Sequence, residues 1–426
     1  MQPSKRAQLA IFCTVVVDLL GFGIVIPILP LYAKSLALHP SGWMTWVNQA
    51  FRLTDSPFVF WAAVVLVIHP IAQFIAAPIL GRLSDLVGRR PVLWISLMGT
   101  CLAYMLMALT GKFEWVLAAR ILDGITVGNI SVAQAAMADS SSPKERSKAL
   151  GIIGAAFGLG FVAGPALAGI LSGSAAGKAM LLNHGWHLPF FVAAGMSFVA
   201  SLLVLIWLPE TLTPEARLHA RKVQSRGHAL KHALARPGMP QILLIAFLAM
   251  CGFAMMEGTY ALLCAKRFNF GQRQVGYLFA FVGILIVLYQ GGLVRVVAKR
   301  IPERVALLSG LAMMTFSLPM IPYAPWEAAF LLVMVPLVWG SGMNQTATAA
   351  LASQITPPDE QGGLFGVITS MATMGRIVGP LVGGFVFAKF GYAAPYWVAA
   401  GFLGLGLVLA ITILRPPAQM PEEDPI

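Results

Sequence analysis

Three acids and two bases stand in stretches of sequence that are otherwise apolar. Asp18, Asp123 and Glu257 are the acids, Arg120 and Arg376 the bases. At about 1.5 Å per helical residue, Asp18 lies roughly 15 Å into its run, and Asp123 and Arg376 fall near the middle of a hydrocarbon layer about 30 Å thick. Glu257 lies roughly 24 Å in, within the outer third. An ionisable group at such depth is costly, and its default reading is functional. Burial favours the neutral acid and a nearby guanidinium favours the carboxylate. A buried acid can therefore take a proton in one setting and release it in another. The expectation is that Asp18, with Asp123 or Glu257, carries a proton, while Arg376 and Arg120 supply a shifting countercharge. Plainer readings stay open. Asp18 could make a structural hydrogen bond to a neighbouring helix. Glu257 could snorkel to the interface beside Met255 and Met256, which offer an adaptable apolar wall. Arg120 and Asp123 are three residues apart, hence on one helix face and able to pair. His69, followed by Pro70, reads as hydrogen-bonded filler.

Other chemistries lack their residues. The sequence has no Gly-rich loop ending in Lys-Ser/Thr, so nucleotide hydrolysis is not expected and an ion gradient must supply the energy. No Ser-His-Asp set and no C-x-x-C or Cys/His spacing appears. Catalytic residues, metals, cofactors and disulfides are therefore not expected.

The elements that hold these groups follow from composition. Hydrophobic residues make up 58% of the 426, charged residues 11%, and mean hydropathy is +0.79. That ratio makes lipid the solvent for most of the surface. A transmembrane helix needs about 20 apolar residues, and twelve candidate spans fit: 8–33, 58–80, 92–110, 115–138, 148–172, 189–208, 241–264, 275–297, 304–322, 327–352, 363–388 and 394–414. The net charge of +12 invites nucleic acid as a partner, but its placement argues against that. With both termini inside, 19 of the 29 Lys/Arg fall on or beside inner segments and 8 outside, as the positive-inside rule requires. Lys5 and Arg6 precede an apolar run too long for a signal peptide, so that run is the first span. The loop from Lys34 to Pro57, with Trp43 and Trp46, is expected to cap the outer interface.

One stretch occurs twice. Gly151, Gly160, Gly164, Pro165 and Gly169 return as Gly366, Gly375, Gly379, Pro380 and Gly384, displaced by 215 residues (366 − 151); Asn129 and Asn344 share the offset. The chain thus reads as two homologous halves: an N-terminal six-helix bundle over 1–208, a cytoplasmic linker over 209–240 and a C-terminal six-helix bundle over 241–426. Gly at intervals of three or four lets another backbone approach closely, and Gly-Pro marks a bend. One copy alone could be a static packing groove. Two in register favour a seam between mobile halves. Asn129, Gln134, Asn344, Gln345 and Met256 are expected to line a substrate cavity, although interhelical hydrogen bonding would also suit the amides.

The turn Gly81-Arg-Leu-Ser-Asp85-Leu-Val-Gly88-Arg89-Arg90-Pro91 resembles the loop 2–3 motif of the major facilitator superfamily. Arg120 with Gly124 is similar to its fourth-helix motif, and Gly151 to Gly169 to the fifth-helix motif of its proton-driven antiporters. Asp18 with Gly21, Pro27 and Pro30 resembles the first helix of its twelve-span drug exporters, the tetracycline-resistance branch above all. Two departures stand out: Ala168 replaces a glycine of the fifth-helix motif, and Asp123 occupies a site that is often uncharged. The resemblance implies an all-α membrane protein of twelve helices in two pseudo-symmetric bundles. It implies alternating access, with Gly81, Asp85, Gly88, Arg89 and Arg90 latching the cytoplasmic side, Arg120 tuning proton exchange and the seam glycines letting the halves rock. The expected function is proton-coupled export of drugs or amphiphilic metabolites from the inner membrane, by a monomer with a small-molecule cargo. An uptake symporter for a sugar, peptide or siderophore is the alternative, because charges alone do not give direction.

Overall fold

A computed structural model describes residues 5–36, 42–51, 57–127, 130–140, 146–174, 187–211, 236–356 and 361–413. Those residues form helices and short connections: α1 Lys5–Leu36, α2 Gly42–Ala50, α3 Pro57–Val87, α4 Arg89–Leu109, α5 Phe113–Val127, α6 Ile130–Asp139, α7 Arg146–Gly173 and α8 His187–Trp207. After these come α9 Met239–Phe268, α10 Gln272–Leu288, a π-helical turn Tyr289–Leu293, α11 Val294–Arg300, α12 Glu303–Met320, α13 Glu327–Gln354, α14 Gln361–Phe390 and α15 Ala394–Ile413. Ten of the helical stretches are long and apolar enough to cross a membrane. Two shorter apolar ones, Val162–Ser172 and Arg273–Leu288, coincide with the expected fifth and eighth spans. The linker residues 212–235 lie outside the described residues.

These segments are helical because a backbone in oil must satisfy its own hydrogen bonds. Several are apolar on every side. Ile75, Ile79, Leu102, Leu109, Phe198 and Ile206 point outward, as a lipid-facing surface requires. Prolines lie inside helices at Pro70, Pro78, Pro165, Pro319, Pro336 and Pro380. Each removes one backbone donor and allows a bend.

The chain divides into two compact units. The first holds residues 1–224 with 255–287 and 380–395. Within it α1 packs along α7, α4 along α8 and α3 along α5. One apolar core joins Ile11, Val15, Leu93 and Val132, and another joins Ile24, Ile28, Trp61, Tyr104 and Phe190. The second unit holds 225–254, 288–379 and 396–426; α12 pairs with α13, and Met239, Leu243, Ala352 and Leu364 form a core. Residues 255–287 and 380–395, assigned by sequence to the C-terminal bundle, thus cluster with the N-terminal helices. Side chains explain why: Val59 and Ala62 of α3 share a core with Leu262 of α9 and Phe387 of α14.

Candidate functional site

The densest buried charge is on α5. Arg120 and Asp123, both within 1% of full burial, pair as one helical turn allows: Nη1 donates to Oδ2 at 2.7 Å. Arg120 Nε also donates to the Val65 carbonyl of α3 at 3.5 Å. The surprise is His69, 2% exposed, whose Nδ1 lies 3.1 Å from the same Oδ2. That contact is at ion-pair distance but is not aligned as a hydrogen bond. One glycine, Gly124, brings α3 and α5 this close. A Cβ on Gly124 would stand 2.4 Å from the His69 carbonyl oxygen and 2.7 Å from Cβ of Ala72. Below the pair, Thr126 hydroxyl bonds the Asp123 carbonyl at 3.0 Å and meets Thr100 at 2.9 Å.

Asp18 is equally buried at 1%. One turn on, Gly21 makes room for the Tyr104 hydroxyl, which a Cβ there would strike. Tyr104 lies within electrostatic reach of Asp18, Arg120 and Asp123. The ring of Phe22 sits 6.0 Å from that of His69. Asp18, Tyr104, Arg120, Asp123 and His69 therefore form one polar patch in an apolar unit, drawn from α1, α3, α4 and α5.

A second charged cluster joins the α3–α4 turn to α6 and the end of α8. Arg89 pairs with Asp85 at 2.7 Å and with Asp139 at 3.2 Å. Its guanidinium also reaches Ser84, whose hydroxyl donates to the Gly81 carbonyl at 2.7 Å. The Arg89 amide donates to Glu210 at 2.9 Å. Arg90 bonds the Leu205 carbonyl. Gly88 sits at φ 121° and ψ 158°, backbone that strains any side chain and so permits the abrupt turn between helices. Asp85 and Arg89 were named by the motif. Asp139 and Glu210 were not, since their role depends on where α6 and α8 end.

The sequence matches the model of the Major Facilitator Superfamily over residues 11–343 and again over 292–425. The chain belongs to the major facilitator superfamily. A class B tetracycline resistance protein of Escherichia coli is 27% identical over 99% of both chains. Major facilitator superfamily domain-containing protein 10 of Bos taurus is 28% identical over 98% of this chain and 94% of its own. The crystal structure of the human organic anion transporter MFSD10 (TETRAN) superposes with a TM-score of 0.71 at 25% identity, covering 96% of this chain and 100% of that one. A bacterial homologue of the lysosomal transporter Spinster shares the fold alone, with a TM-score of 0.77 at 13% identity over 97% of each chain. The protein is thus a multi-pass membrane transporter with the superfamily's twelve-helix, two-bundle fold, not an enzyme.

In this superfamily member the repeated glycines have particular neighbours. Gly160 and Gly164 of α7 face α1: Cβ atoms there would meet Leu19 Cβ at 2.4 Å and Gly23 Cα at 2.7 Å. Pro165 packs toward Gly23 on the same face. Gly375 of α14 faces α9 in the equivalent way, against Met250 and the Phe247 carbonyl, and the backbone of Gly379 hydrogen-bonds Cys251. The last glycine of each copy turns elsewhere. Gly169 meets Gly276 of α10, where a Cβ would stand 3.0 Å from Cα, and Gly384 meets Ala63 of α3 at 2.5 Å. Pro380 lies beside Gly258. Gly151 lies on α7.

The other expected residues are more scattered. Glu257 and Arg376 are half-buried on α9 and α14. Met256 is buried, while Gln134 and Gln345 are exposed. Asn344 is 7% exposed and, among the described residues, its Oδ1 lacks a hydrogen-bond partner. Asn129 lies outside the described residues.

Proposed function

We propose that this chain is a proton-coupled exporter of drugs or amphiphilic metabolites that works by alternating access. The carrying observation is the wholly buried set Asp18, Arg120, Asp123 and His69: groups costly in an apolar bundle unless their charge is used. Asp18, with Asp123 or Glu257, takes the proton. Arg120 and Arg376 provide the countercharge. The Asp85–Arg89–Asp139 cluster latches the cytoplasmic face, and Asn129, Gln134, Met256, Asn344 and Gln345 line the cargo path. The glycine seams carry the rocking of bundles 1–208 and 241–426 about the 209–240 linker. The transporter sits as a monomer in the inner membrane, both termini cytoplasmic. Likeness to tetracycline resistance proteins along nearly the whole chain supports export. The human relative's being an organic anion transporter adds acidic amphiphiles to the cargo classes worth trying.

The test uses everted vesicles with an acid interior, a panel of antibiotics, dyes and organic anions, and tetracycline as the first probe. Accumulation that collapses with a protonophore, and that falls at least tenfold in Asp18→Asn, is expected. Accumulation driven only by the opposite gradient would replace the exporter by an uptake symporter. Unchanged transport in both Asp18→Asn and Glu257→Gln would remove these acids from coupling.

A further inference from the structure

We propose that His69 is a proton-binding residue of the transport cycle, the member of the buried α3–α5 cluster whose charge changes. This rests on the proton-coupled reading of the same site, and it moves the exchangeable proton from Asp123 to the imidazole.

The reason is what each partner can give up. A guanidinium does not deprotonate in a protein. Arg120 and Asp123 neutralise each other at 2.7 Å, and removing either charge would strand the other in an apolar core, a strongly unfavourable change. The pair is therefore fixed at zero net charge. His69 is the remaining member, and imidazole is the side chain whose ordinary titration falls near neutral pH. Its Nδ1 is 3.1 Å from Asp123 Oδ2. Asp123 Oδ1 has no hydrogen-bond partner among the described residues, so the carboxylate has acceptor capacity left for a second positive neighbour. When the imidazole gains a proton, both ring nitrogens carry N–H and the cluster goes from zero to +1. A small ring rotation then directs Nδ1–H at the carboxylate. Loss of that proton returns the neutral ring and the neutral cluster. No bond other than N–H forms or breaks.

The charged and titratable groups on the helices that neighbour α3 are these. From α5 come Arg120 and Asp123. From α1 comes Phe22, at 6.0 Å between ring centres, with Asp18 one turn before it. From α4 comes Tyr104, which lies in reach of Asp18, Arg120 and Asp123. From α9 comes Glu257, next to Gly258, whose added Cβ would lie 3.6 Å from Leu66, one turn before His69. Past Pro380, α14 carries Lys389, held over the rings of Phe385 and Phe390. On α6 the acid is Asp139, taken by Arg89.

The backbone lets conformation act on this contact. Pro70 follows His69 and has no N–H to return to the preceding turn, so α3 can bend there. The same helix touches α14 through Ala63 and Gly384. A shift of α3 against α5 changes the His69–Asp123 distance while the Arg120–Asp123 pair, carried on one helix, stays intact. Proton affinity and helix position are thereby linked.

Two measurements decide the proposal on the full-length protein in lipid nanodiscs and proteoliposomes. The first is nitrogen NMR of protein labelled at its 7 histidines, with His69→Gln identifying the His69 signal. That signal should pass from imidazolium to neutral imidazole across a pH series that spans neutrality. A ring that stays in one form throughout overturns the proposal, whatever the cargo proves to be. The second compares gradient-driven uptake of tetracycline with gradient-free counterflow exchange. His69→Gln should lose at least tenfold in the former and keep the latter within about threefold. Equal loss of both would make His69 a structural residue and overturn it. If wild type ignores tetracycline while the imidazole titrates, the cargo assignment fails and the proton site stands.

Discussion

At the scale of single residues, the Arg120–Asp123 pair holds the sharpest stability prediction. Replacing one partner leaves a buried charge unmatched, at a cost of about 3–5 kcal/mol, whereas replacing both with apolar groups of similar volume is often neutral or better. Arg120→Met and Asp123→Leu should each lower the thermal midpoint in detergent sharply, and the double variant should recover most of the loss. Transport should stay absent in all three. A double variant as unstable as the worse single one would mean that contacts to Val65 and His69 matter more than the pair itself. The pairing was legible in sequence because i and i+3 share a helix face. The third member was not, because His69 belongs to another helix and nothing local to His69-Pro70 distinguishes a charged contact from filler. Asp139 and Glu210 stayed hidden for the same reason: each meets Arg89 only through tertiary placement.

At the scale of elements, the glycine repeats predicted close helix approach, and Gly160, Gly164, Gly169, Gly375 and Gly384 make it, whereas Gly366 has nothing within 4 Å of an added Cβ. The expected seam between halves holds only for the last glycine of each copy: Gly160 and Gly164 pack on α1 and Gly375 on α9, each within its own half of the sequence. Gly164 lies backbone to backbone with Gly23 of α1, so a methyl group on it would sit 2.7 Å from Cα. Backbone cannot step aside as a flexible side chain can. Gly164→Ala should therefore destabilise by about 1–3 kcal/mol, the usual range for overpacking. Gly195 on α8 has nothing within 4 Å of its added Cβ, and Gly195→Ala should be neutral or slightly stabilising, as Ala favours helix by up to about 1 kcal/mol. Comparing unfolding midpoints of the two variants separates packing from propensity. If Gly164→Ala melts with wild type, α1 and α7 slide freely past one another and the glycines there serve motion more than fit.

At the scale of the whole molecule, the twelve spans and two-bundle fold were readable because lipid imposes length and hydropathy on every span, and the superfamily motifs fixed the rest. Segments 255–287 and 380–395 joining the N-terminal helices was not readable, because it depends on contacts between distant helices. Those contacts make alternating access testable. Ala63 and Gly384 touch where α3 meets α14: a Cβ on Gly384 would lie 2.5 Å from that of Ala63, closer than the roughly 3.8 Å of a disulfide, so about an ångström of separation lets two cysteines bridge. In a background without Cys13, Cys101, Cys251 and Cys264, Ala63→Cys with Gly384→Cys should transport when reduced and lose at least tenfold when oxidised, with activity returning on reduction. A cross-link that forms quantitatively and leaves turnover intact would show that these helices never part during transport. The rocking-bundle cycle would then fail, and the buried charges would need another motion to sense.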